Sequence, residues 1–178
     1  MDKPSPVTRI ARNGIMLAMM CVVGMFSIPL GDNIKVSLQF FMVCLIALTS
    51  ASFYDGAIVM ACYLLLGLFA PVYAGFTSGI TPTFGFVISF IGACPIIYFM
   101  NKIPKLNSII RMAIACVVGL IFVYIVGTIF LMAYLSIWDL GKALMITTVP
   151  YLPFDAIKIA LAVIIVRMLP KSVGGAGK

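Results

Sequence analysis

Residues 109–135 read IIRMAIACVVGLIFVYIVGTIFLMAYL, an apolar run whose one charge, Arg111, stands near its start. Wound as a helix at about 1.5 Å per residue, this run is longer than the roughly 30 Å hydrocarbon thickness of a bilayer. Five further stretches meet the same criterion, at roughly 10–30, 36–53, 57–73, 83–101 and 152–169. The expected fold class is an all-α membrane protein, a bundle of six transmembrane helices whose short connections make sequential spans antiparallel neighbours. The spans take up most of the chain, so residues 1–178 are expected to form a single integral-membrane domain. Low complexity is confined to the tail Gly174-Gly175-Ala176-Gly177, and no internal repeat is evident.

Composition points the same way. With 63% hydrophobic and 10% charged residues, the chain has more apolar surface than a water-soluble core of 178 residues could hide. The twelve Lys and Arg residues are unevenly placed. An N-terminus in the cytoplasm puts Lys3, Arg9, Arg12, Lys102, Lys105, Arg111, Arg167, Lys171 and Lys178 on that side, leaving Lys35, Lys142 and Lys158 toward the outside. The positive-inside rule therefore predicts that both termini are cytoplasmic. The net charge of +7 is then a topology signal, with attraction to anionic lipid headgroups as a consequence and no aromatic-interleaved basic surface of the nucleic-acid-binding kind. Arg9 and Arg12 before an apolar run imitate a signal peptide. The run is long, ends in no A-x-A pattern and precedes five more spans, so it is read as a retained first helix.

Several chemistries lack their residues. The sequence has no His and no Glu, and its five acids, Asp2, Asp32, Asp55, Asp139 and Asp155, are scattered, so neither a metal site nor an enzymatic cofactor is expected. No Ser-His or Cys-His pair can form, and no P-loop is present, so an ATPase that drives transport would be another polypeptide. Cys21, Cys44, Cys62, Cys94 and Cys116 each fall inside a span, without C-x-x-C spacing, as small packing residues do.

The remaining polarity gathers in three segments on the outward side: a turn over residues 31–39 leading into span two, a Gly/Thr/aromatic loop over 71–86, and residues 150–158 opening span six. Asp155 and Lys158 lie three apart on one helix face among Phe154, Ile157, Ile159 and Leu161. Charge near the bilayer interior costs on the order of 2.5–3.5 kcal/mol per residue, which marks the pair as a polar binding site. A local ion pair in a first helical turn begun by Pro150 and Pro153 is the alternative. Gln39 could bond a neighbouring helix or a ligand, Gly75 and Gly79 could serve only as turn residues, and Tyr73, Phe76, Phe84 and Phe86 fit either an interfacial belt or a stacking lid.

Taken together, Tyr63-Leu64-Leu65-Leu66-Gly67 continuing to Pro71-Val72-Tyr73-Ala74-Gly75, the element Pro82-Thr83-x-Gly85-Phe86, and Pro150-x-x-Pro153-x-Asp155-x-x-Lys158 resemble the BioY family, the biotin-binding S components of energy-coupling factor (ECF) transporters. Val36-Ser37-Leu38-Gln39-Phe40 is similar to the start of that family's second span, and the resemblance runs over about residues 9–169. It implies a multi-pass receptor in the bacterial cell membrane that captures biotin from outside. A transmembrane scaffold subunit and two cytoplasmic ATPases would energise it, with ATP used only by those partners. By the same resemblance the substrate contacts would be Asp155, Lys158, Gln39, Tyr73, Gly75, Ser78, Gly79, Phe84 and Tyr151. Gly14 and Ala18, a small-xxx-small pair in span one, would meet the scaffold, although such pairs also serve internal packing. The chain departs from the family pattern after Ala74-Gly75. Members carry a longer, glycine-richer stretch there, often with a basic residue, then a Gly-Pro-Thr-Gly-Gly-Tyr-like motif; here the stretch is short, holds Thr77 and Ser78 without Arg or Lys, and continues Thr81-Pro82-Thr83-Phe84-Gly85-Phe86. Lys158 is left as the main candidate for a carboxylate.

Other classes fit less well. A receptor for another vitamin or small heterocycle shares every feature except the family motifs. A membrane enzyme would need more facing reactive groups than Asp155 and Lys158, and a solitary carrier would need polarity along spans three to five, where little exists.

Overall fold

A computed structural model describes residues 5–29, 35–104 and 107–169. Lys3, Lys105, Lys171, Lys178, Asp2, Asp32, residues 31–34 of the expected turn before span two and the Gly-rich tail lie outside them. Among the described residues the order is α1 (Pro6–Met25), β1 (Ser27–Pro29), β2 (Lys35–Ser37), α2 (Gln39–Thr49), α3 (Phe53–Phe69), α4 (Phe84–Met100), α5 (Ser108–Leu135), α6 (Leu140–Thr147) and α7 (Leu152–Met168).

Local chemistry sets many of the boundaries. Ser5 caps α1 by accepting from the Thr8 amide, Pro6 begins the helix, and Asn107 caps α5 through the Ile109 amide. Ser52 and Asp55 form a reciprocal capping box that starts α3, so the segment expected as one span over 36–53 breaks near Ser50. Its other end is also shorter than expected, because Lys35–Ser37 pair antiparallel with Ser27–Pro29 as a small ribbon. What remains is an eleven-residue helix, α2, which at about 1.5 Å per residue rises roughly half the hydrocarbon thickness.

Length alone does not decide its place. Every α2 residue except Phe41 is buried, and the helix sits at the centre of the bundle against α1, α3, α4, α5 and α7. On the outer helices the pattern is inverted with respect to a soluble protein. Along α5 the stripe Val117, Ile121, Ile125 and Ile129 is exposed, while Cys116, Leu120, Val123 and Leu131 face inward. A helix apolar on both faces belongs in lipid, and the protein is a membrane protein of largely helical fold. Helices α1 and α5 are long and apolar enough to cross by themselves, and α6 with α7, bent by 47° at their break, reaches that length and apolarity only as a pair. The break at residues 148–151 holds Pro150, and α6 itself was not anticipated from the sequence.

Hydrogen bonds identify the two ends of the bundle. At one, Arg9 on α1 meets Asp55 on α3 at 2.7 Å, the Tyr98 hydroxyl on α4 donates to the Ala51 carbonyl, and Arg111 on α5 reaches Asn101. At the other, the Gly75 amide donates to the Met25 carbonyl, tying the α3–α4 loop to the end of α1. That loop is pinned from below: Tyr73 lies over Gly67, where an added Cβ would sit 1.9 Å from its ring, and its hydroxyl donates to the Leu64 carbonyl at 2.7 Å. Gly75 and Gly79 both take positive φ, so glycine is needed at these turns.

Candidate functional site

The second end encloses a cavity of about 370 Å³. Its floor is the N-terminus of α2 with Gln39 and Phe40, its walls are Phe86 and Phe90 of α4 and Leu120, Val123 and Tyr124 of α5, and α7 closes it with Tyr151, Asp155 and Lys158. Because α2 begins only at Gln39, the upper half of the bundle has no central helix, and the cavity occupies that space.

Asp155 and Lys158 face into it, one helical turn apart. Lys158 Nζ donates to Asp155 Oδ1 at 2.7 Å, and both side chains are more than nine-tenths buried. The Tyr124 hydroxyl of α5 donates to the other carboxylate oxygen, so α5 and α7 are joined through Asp155. The carboxylate therefore has a donor on each oxygen, while Lys158 retains two N–H bonds and Asp155 retains free lone pairs toward the cavity. A bound group that both accepts and donates fits this pair better than an isolated charge would, since the pair is neutral as a unit.

Gln39 belongs to a second polar chain. Its Nε2 donates to the Tyr63 hydroxyl at 2.7 Å, Tyr63 donates to the Val72 carbonyl at 2.9 Å, and Ser37 donates to Gln39 Oε1 at 3.2 Å. These bonds fix the floor against α3 and the loop and leave one Gln39 N–H for a ligand. At the open side lie Thr77, Thr81 and Thr83, with Thr147 of α6 bonded to Thr128 of α5 at 2.9 Å.

Of the residues expected to contact substrate, Asp155, Lys158, Gln39 and Tyr151 line the cavity. Tyr73 and Phe84 are buried core residues packed on each other, with ring centroids 6.3 Å apart, and Gly75, Ser78 and Gly79 belong to the loop without lining the cavity. Phe76 points away from the bundle and packs on Phe26. Tyr124 and Thr147 escaped the sequence reading, and Thr81 and Thr83 entered it only as members of the loop over 71–86. A hydroxyl midway along an otherwise apolar span, as at Tyr124 and Thr128, is the signal that could have found the first, because a buried hydroxyl needs a partner. Gly14 and Ala18 are exposed on α1, with open space over Gly14. No cluster of metal-ligating side chains exists among the described residues.

The fold and cavity together define a class, a helical membrane receptor with a small, partly apolar pocket at one end. The profile of the BioY family matches residues 1–175, and the chain belongs to that family. A biotin transporter BioY of Thermotoga maritima is 33% identical over 168 residues, which cover 92% of this chain and 96% of the relative. A probable biotin transporter BioY of Pyrococcus horikoshii is 30% identical over 164 residues, covering 87% and 91%. Among solved structures, the S-component for biotin from an ECF-type ABC transporter superposes over the whole of both chains with a TM-score of 0.85 at 26% identity. The family is one of transporters, not enzymes.

Proposed function

We propose that this protein is the biotin-binding subunit of a vitamin uptake system. The observation that carries this reading is the buried, mutually neutralised Asp155–Lys158 pair set in the wall of an otherwise largely apolar cavity of about 370 Å³, a size within the usual range for small-molecule sites. The cyclic urea of biotin offers one carbonyl acceptor and two N–H donors. Lys158 complements the carbonyl, Asp155 an N–H, and Gln39 and Tyr151 the remaining polar positions, with Phe86 and Phe90 against the apolar ring. The carboxylate of biotin is less suited to this depth, because Asp155 would repel it.

The chain crosses the bacterial cell membrane six times, as α1, α2 with the extended residues before it, α3, α4, α5, and the bent α6–α7 unit. Both termini are cytoplasmic, a reading supported by Arg9, Arg12, Lys102, Arg111 and Arg167 standing at helix ends opposite the cavity. The cavity then faces outward. A transmembrane scaffold subunit and two cytoplasmic ATPases supply the energy, and the exposed small-residue pair Gly14 and Ala18 gives the scaffold a place of close helix approach. No cofactor is needed by the chain itself.

Calorimetric titration of the purified protein with a vitamin panel tests the reading. Saturable binding of biotin, with no heat from thiamine or riboflavin, is expected; a response to either of those without one to biotin would replace the substrate.

A further inference from the structure

Resting on the biotin reading above, we infer that the tail of the ligand is held by an uncharged threonine rim, so the site accepts biotin derivatives whose carboxylate is masked. The cavity has a graded exposure. Gln39, Phe40, Phe90, Asp155 and Lys158 are all more than nine-tenths buried, whereas Thr77 and Thr81 are half-buried and Thr83 is exposed. The open end of the cavity lies between these three residues and Ile146 of α6, which is half exposed, and a ligand with its ring against the buried pair has its side chain at that end.

Charge is absent from that end among the described lining residues. Among the described side chains, Asp155 and Lys158 are the only ionic ones lining the cavity, and they are 2.7 Å from each other. Lys142, on α6, is exposed beside Asp139 and does not itself line the cavity, although Ile146, one turn further along α6, does. Thr81 and Thr83 have their hydroxyls 3.1 Å apart, and the Thr77 hydroxyl donates to the Ala74 carbonyl at 3.2 Å. Each hydroxyl still has accepting capacity, and the Thr81–Thr83 pair retains one donor proton. Such a rim can donate to a carboxylate oxygen, and it can equally accept from an amide N–H or an alcohol O–H. A guanidinium or ammonium in its place would favour the acid by a charge-assisted bond. The substrate class is therefore cyclic ureas of the biotin type with a free, amidated or reduced tail.

The test is calorimetry on the full-length purified protein with biotin, biotinamide and biotinol. Both neutral derivatives are expected to bind within about threefold of biotin, a difference of about 0.7 kcal/mol. Loss of about thirtyfold or more for both derivatives, with biotin still bound, would overturn the threonine rim and leave the biotin reading standing. No binding by any of the three would remove both. A second variant locates the tail: Thr77→Arg is expected to shift the preference toward biotin over biotinamide by about fivefold or more. An unchanged preference in a variant that still binds biotin would show that the tail does not pass Thr77.

Discussion

Asp155 is held between Lys158 and Tyr124, from its own helix and from α5, with its side chain more than nine-tenths buried. A buried charge that loses its partner is costly, so Lys158→Ala and Asp155→Ala are each expected to weaken biotin binding at least tenfold, about 1.4 kcal/mol, in an equilibrium titration. Normal affinity in both would make the pair structural. Tyr124→Phe leaves the ion pair intact and removes one donor, so a smaller loss, about threefold to tenfold, is expected in the same titration. At the opposite end Asp55 accepts from Arg9 at 2.7 Å and from Asn13 at 3.2 Å while capping α3. Asp55→Asn should lower stability by about 1–3 kcal/mol in a thermal melt in detergent, with biotin affinity unchanged. The conspicuous polar residues were legible in the sequence because ionic and amide groups are rare there; Tyr124 was not, since one tyrosine in an apolar run looks the same whether it faces lipid, core or cavity.

At the scale of elements, close contacts at glycines shape the pocket. Gly127 on α5 receives the Phe86 ring of α4, and a Cβ there would lie 2.3 Å from it. Gly127→Ala should therefore drive Phe86 into the cavity it lines and reduce biotin affinity by about fivefold or more, read by calorimetry, whereas the same change at the open Gly14 should leave binding intact. Helices α3, α4, α5 and α7 were visible within a few residues as apolar runs. The shortness of α2 was not, because hydropathy measures transfer to an apolar surround and does not distinguish lipid from the interior of a bundle. Likewise α6 carries Leu140, Leu144, Met145 and Ile146 exposed behind the cap Asp139, and its eight residues are too few to register as a span.

For the whole molecule, the two ends differ: Arg9 and Arg12 gather on Asp55 at one, and the cavity with its Asp155–Lys158 pair lies at the other. Trp138→Cys, near the cavity end, should react with a membrane-impermeant maleimide in intact cells, and Ile103→Cys should not, with the reverse pattern contradicting the proposed orientation. Gly14→Leu should spare biotin binding yet reduce uptake by about tenfold in cells, by filling the open surface on α1 where a partner helix would approach. The overall class was readable from composition and charge placement, since lipid and the positive-inside bias act on totals. The three polar segments marked the end at which the cavity lies, but its depth was not legible, because that depends on where one helix stops.

The most direct measurement is a crystal structure of the protein grown with biotin. The cyclic urea should lie between α5 and α7, its carbonyl oxygen within hydrogen-bond distance of Lys158 Nζ and one N–H on Asp155, with the tail toward Thr77, Thr81 and Thr83. A ligand found elsewhere, or one whose carboxylate occupies the place of the urea at Lys158, would contradict it.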